Sequence, residues 1–169
     1  AEAFRAVGGF DPTVIAAEDD EVCTRLRKAG WRLERIPEEM TRHDADTHRF
    51  GQWWTRAVRT GHGFAQVGHL HPEYFRRERQ RALVYGLALP LVILLGGAVW
   101  WGFAVAGLCV YVLNYYRTAQ GLTREGLPRR ESYRHSLLLT LSKVPNVIGM
   151  ATYHWRRRRN AQMRIIEYK

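Results

Sequence analysis

The sequence predicts an α/β fragment followed by transmembrane and interfacial α-helices, so a chain that is mostly helical overall. Three observations predict it. A Gly- and Pro-punctuated polar region, residues 1–71, alternates a loop, a charged helical pattern, a short stretch rich in strand-forming residues and a second helical pattern. A run from 82 to 116, roughly 35 residues, carries no charge. The remainder is basic and amphipathic, and the chain as a whole holds 26 Lys and Arg against 16 Asp and Glu, a formal charge of +10.

The element order follows from local chemistry. Gly8 and Gly9 before Phe10, Asp11 and Pro12 mark a loop. A helix is expected to start near Glu18. Glu18, Asp19, Asp20 and Glu21 crowd its positive end, Arg25, Arg27 and Lys28 crowd its negative end, and Gly30 stops it. Val22, Leu26 and Ala29 form its apolar stripe. Residues 31–36 read as a short strand ended by Pro37. A second helix is expected over 47–67, where Trp53, Trp54, Ala57, Val58, Gly61, Phe64 and Ala65 keep the 3.6-residue period.

The region 72–117 reads as a basic lead-in and a membrane hairpin. One span needs about 20 residues, and Pro90 with Gly96 and Gly97 offers breaks, so two arms near 83–97 and 99–116 are expected. Arg76, Arg77, Arg79 and Arg81 precede the run, and Arg117, Arg124, Arg129 and Arg130 follow it. A hairpin places both basic flanks on the cytoplasmic face of the cell membrane. The region 118–169 reads as a basic cytoplasmic tail, with 136–155 lying on the leaflet and the four arginines 156–159 facing anionic lipid. Because the basic clusters adjoin apolar sequence, membrane lipids rather than nucleic acid are the expected partner. Cys23 and Cys109 form no disulfide framework and no zinc spacing.

For chemistry, Glu18 and Asp19 stand out. A carboxylate at a helix start can take a proton from an attacking hydroxyl. The alternative reading is that all four acids only complement the helix dipole. Arg56 and Arg59, off the apolar stripe of the second helix, suit phosphate recognition or a solvated face. His43, in Thr41-Arg42-His43-Asp44, reads by itself as a surface or loop-packing residue.

The residues Val7-Gly8-Gly9-Phe10-Asp11, then Ala17-Glu18-Asp19-Asp20-Glu21-Val22, then Arg25 to Trp31, resemble the acceptor-side half of family 2 glycosyltransferases of GT-A fold. In that family a Gly-Gly-Phe-Asp loop precedes a Glu-Asp pair and a helix ending at Gly-aromatic. The resemblance covers about 30 residues closely and weakens toward residue 66. It implies that residues 1–71 are the C-terminal part of a catalytic domain and that Asp19 is the general base, with Glu18 its neighbour. It implies that Gly8, Gly9, Phe10 and Asp11 border a sugar, and that His43 helps hold a divalent metal, Mg or Mn, bound mainly by a nucleotide-binding half that this sequence lacks. The implied reaction moves a sugar from a nucleotide-diphosphate donor to a hydroxyl on a lipid-linked or saccharide acceptor. Gln52 and Arg56 depart from the Gln-x-x-Arg-Trp spacing of processive members, so polymerisation is not implied. A non-catalytic membrane-anchored scaffold is the alternative from a different class.

Overall fold

The computed structural model describes residues 2–34 and 48–164. Among them the elements are all helical: α1 (Glu2–Ala6), α2 (Glu18–Lys28), α3 (Phe50–Leu70), α4 (Arg76–Val99), α5 (Trp101–Arg124), α6 (Arg129–Leu141) and α7 (Lys143–Arg158). There is no strand among the described residues, which overturns the expected α/β character. Residues 31–34 are exposed and pair with nothing in a ladder. Strand propensity becomes a strand only when a neighbour accepts the backbone hydrogen bonds. The rest of the predicted strand, with Pro37 and His43, lies outside the described residues.

The chain divides into two compact units, one made from Ala1–Arg76 with Gly149–Lys169 and one from Arg77–Ile148. In the first, α2 begins at Glu18 and stops as the sequence predicts, with Gly30 in the left-handed region at φ 85°. α3 starts three residues later than expected because Gln52 decides its first turn. The Gln52 side-chain oxygen accepts from the backbone N–H of His48 at 3.0 Å and of Arg49 at 2.9 Å. The core of this unit joins Val14, Ile15 and Ala16 of the loop, Val22 and Leu26 of α2, Ala57, Ala65 and Val67 of α3, and Met150 and Tyr153 of α7. Its tightest point is Gly149 of α7, where a Cβ would lie 1.9 Å from the Val58 carbonyl oxygen and 2.6 Å from the His62 nitrogen. Glycine is required there because two helix backbones touch.

In the second unit α4 and α5 run antiparallel. Gly107 packs on Ile93 and Leu89, Gly96 on Phe103, and the Tyr111 hydroxyl donates to the Tyr85 carbonyl. α4 runs unbroken through Pro90 and ends at Val99, so the chain turns at Trp100, between the two expected arms. Two π-helical stretches, Val84–Ala88 and Val92–Gly96, flank the proline. Widening the helix accommodates the ring and the missing N–H without ending it. Among the described residues α4 is the one helix long and apolar enough to cross a membrane. Leu94, Leu95 and Val99 are 70%, 67% and 82% exposed on it. α6 folds back on α5, and the buried Ser136 hydroxyl donates to the Tyr115 carbonyl at 2.7 Å.

Candidate functional site at the start of α2

The four acids that open α2 have different fates. Glu21 is 3% exposed and accepts from Arg25 Nε at 2.8 and 3.0 Å and from Nη2 at 2.7 Å. His71 Nε2 lies 3.1 Å from its other partner atom, Glu21 Oε1. Lys28 Nζ, which can only donate, sits 2.9 Å from His71 Nδ1. The imidazole therefore accepts at Nδ1 and donates from Nε2 to Glu21. Burial pushes the Glu21 carboxyl up, but the hydrogen bonds from Arg25 and His71 outweigh it and hold the group below its ordinary value. Asp20 accepts from the Tyr74 hydroxyl at 2.8 Å. Burial first, and then that bond to Asp20, raise the Tyr74 phenol. Both acids are structural: they attach α2 to the segment after α3.

Glu18 and Asp19 remain. Neither has a side-chain hydrogen bond or ion pair among the described residues; Glu18 is half-buried and Asp19 exposed. The backbone that presents them is unusual. Ala17, the residue before α2, has φ 59° and ψ 34°, the left-handed region that alanine seldom occupies. Its neighbour Ala16 is wedged against α3 at Gly63, where an added Cβ would lie 3.0 Å from the Ala16 carbonyl oxygen. Gln66 holds the same segment, donating from Nε2 to the Thr13 carbonyl at 2.6 Å and accepting from Ile15 N at 3.4 Å. Arg59 Nε donates to the Ile15 carbonyl at 3.2 Å. Conformations of this kind persist where surrounding contacts over-determine them.

The glycine loop is held to the same helix. Arg25 Nη2 donates to the Gly9 carbonyl at 2.6 Å, and Nη1 to the Val7 carbonyl. Gly8 and Gly9 have φ 78° and 71°, which explains the glycine pair. Phe10 is 52% exposed and meets Phe4 edge-on at 5.2 Å. Asp11 is spent on its own turn, accepting from Thr13 Oγ1 at 2.7 Å and Thr13 N at 2.8 Å. Those two bonds, side chain first, lower its carboxyl. Arg56 is exposed on α3. His43 lies outside the described residues, and among those described no three His, Cys, Asp or Glu side chains gather as metal ligands.

The arrangement thus joins the 8–11 loop to Glu18 and Asp19 through Arg25. Sequence reasoning passed over Arg25, Gln66 and His71, which do the joining. The i, i+4 spacing of Glu21 and Arg25 was the visible signal for the first. Nothing local announces the other two.

Over 120 residues the chain is 32% identical to the pre-mycofactocin glycosyltransferase of Mycobacterium tuberculosis, in both strain CDC 1551 / Oshkosh and strain H37Rv. The matched part is 71% of this chain and 24% of each relative, so the chain spans about a quarter of the length of the curated relatives it matches. The similarity is to a glycosyltransferase. No protein-family profile and no solved structure matches the sequence.

Proposed function

We propose that this chain is the acceptor-side, membrane-adjacent portion of a glycosyltransferase of family 2, in which Asp19 is the general base. The reading rests on the sorting of the α2 acids. Asp20 and Glu21 are committed to Tyr74, Arg25 and His71, whereas Asp19 keeps an uncommitted carboxylate on a braced backbone. The similarity to a glycosyltransferase supports the reaction class.

In this reaction the acceptor hydroxyl oxygen forms a bond to the anomeric carbon of the donor sugar. The bond from that carbon to the diphosphate oxygen breaks, its electron pair leaves with the nucleoside diphosphate, and Asp19 takes the hydroxyl proton. Glu18, half-buried beside it, would border the same acceptor hydroxyl. The Gly8 and Gly9 turn, clamped by Arg25, would border the sugar, with Phe10 offering an apolar face. Arg56 would meet donor phosphate as a planar fork. A divalent metal, Mg or Mn, would be held mainly by the nucleotide-binding half with His43 contributing, which leaves Asp19 free to take the proton.

The acceptor is a hydroxyl of a saccharide or lipid-linked molecule, and the site works at the cytoplasmic face of the cell membrane. The exposed apolar surface of α4 and the arginines at the open end of the α4–α5 pair support that placement. Asp19→Asn in the full-length protein is the test. Sugar transfer should fall by about 10²–10⁴-fold with an unchanged circular dichroism spectrum. Glu18→Gln should cost less. Retained turnover in folded Asp19→Asn would remove Asp19 from the mechanism, whereas no sugar transfer by the unsubstituted full-length protein would favour a non-catalytic scaffold.

A further inference from the structure

The second unit contains a cavity of about 580 Å³ at the basic end of the α4–α5 pair. Arg81 enters it from α4, Arg117 from α5 and Lys143 from α7, against a single acid, Glu125. None of the three cations makes an ion pair with a carboxylate among the described residues. Thr140 lines the same cavity. Three like charges around one space repel. Burial first, and then Arg81, pull the Lys143 amine below its ordinary value, with Glu78 opposing. The rest of the wall is mixed: Asn114 and Thr118 stand beside the apolar Val110, Leu113, Leu122 and Leu139.

The position is built by packing. An added Cβ on Gly86 would lie 2.1 Å from the Lys143 carbonyl oxygen, so α7 starts directly on α4, within two turns of Arg81. Antiparallel pairing of α4 with α5 brings Arg117 to the same end. A ligand that satisfies both walls carries an anion with several acceptor oxygens beside a hydrocarbon chain.

We propose that this cavity binds the phosphate of an anionic membrane lipid, with Arg81, Arg117 and Lys143 around the phosphate oxygens and the acyl chain along Val110 and Leu113. A free phosphate would satisfy the cations but leave the apolar wall in water, which favours the lipid. The proposal rests on α4 being membrane-embedded and is independent of Asp19.

The test uses the full chain in nanodiscs of phosphatidylglycerol mixed with phosphatidylcholine, released into the gas phase for native mass spectrometry. Phosphatidylglycerol should be retained selectively, and Arg117→Gln with Lys143→Met should each lower that retention about fivefold. Arg5→Gln and Arg32→Gln, each of which removes one positive charge from the exposed surface of the first unit, should leave it unchanged. Arg81→Gln serves as an additional variant should either of the first two misfold. Glycerol 3-phosphate at millimolar concentration should not displace the lipid. Equal retention of the two lipids, retention unaffected by all three cavity variants, or displacement by glycerol 3-phosphate would overturn the lipid site. Failure of the chain to incorporate into nanodiscs of either lipid would instead overturn the membrane reading beneath it.

Discussion

Arg25 Nη2 lies 2.6 Å from the Gly9 carbonyl oxygen, while the same guanidinium holds the buried carboxylate of Glu21. One side chain therefore fixes both the glycine loop and the first turns of α2. Arg25→Met should destabilise the first unit by about 2–3 kcal/mol, because it strands a buried acid and frees two carbonyls. Arg25→Lys should recover only part of this, since an ammonium lacks the planar fork. Urea unfolding checks both. In the double variant with Glu21→Gln the losses should be less than additive.

The acid limb of the stability curve should carry two contributions. His62 of α3 is fully buried, has no hydrogen-bond partner among the described residues, and meets Tyr153 edge-on at 5.3 Å. Burial, with Arg156 adding to it, lowers its pKa to about 4. The unfolded chain takes up the proton near pH 6.5 and the folded chain does not, so stability is full above pH 6.5 and falls as the pH drops toward 4. The loss is up to about 3 kcal/mol. Glu21 acts lower: its depressed carboxyl contributes stability above pH 4.5 that is lost as the pH falls through its folded value. Thermal melts from pH 7.5 to 4.5 should flatten in His62→Leu, and a persistent slope would show that another group titrates.

Gly149→Ala should be among the most damaging single-methyl additions to the first unit, since its Cβ would overlap the Val58 carbonyl. A loss of about 2–3 kcal/mol is expected. Gly51→Ala is the control. Nothing lies within 4 Å of that position in the first turn of α3, so it should gain up to about 1 kcal/mol. Paired melting temperatures check the contrast.

Ala17→Gly should raise stability by up to about 1 kcal/mol by relieving the left-handed backbone at φ 59°. Ala17→Val should lower it by more than that, because a β-branched side chain is poorly tolerated there. If the brace on Ala16 and Ala17 positions Asp19, the valine variant should also lose turnover in assays run below its melting temperature.

Much of this was legible along the chain. The α2 boundaries follow from charge order and Gly30, and α3 from its apolar period, displaced by the Gln52 cap. The long apolar helix follows from the uncharged run, though not the π-helical widening on either side of Pro90. Of the strand expected at 31–36, the described part, 31–34, pairs with nothing, because propensity alone supplies no neighbouring strand.

By itself the sequence determined which segments coil into helices and which surface suits lipid, because those properties come from neighbours three or four residues away and from composition. Only the tertiary structure decided which two of the four adjacent acids stay uncommitted. The partners of the other two, His71 and Tyr74, lie 50 and 54 residues from Glu21 and Asp20, and no local pattern announces a hydrogen bond closed across that distance.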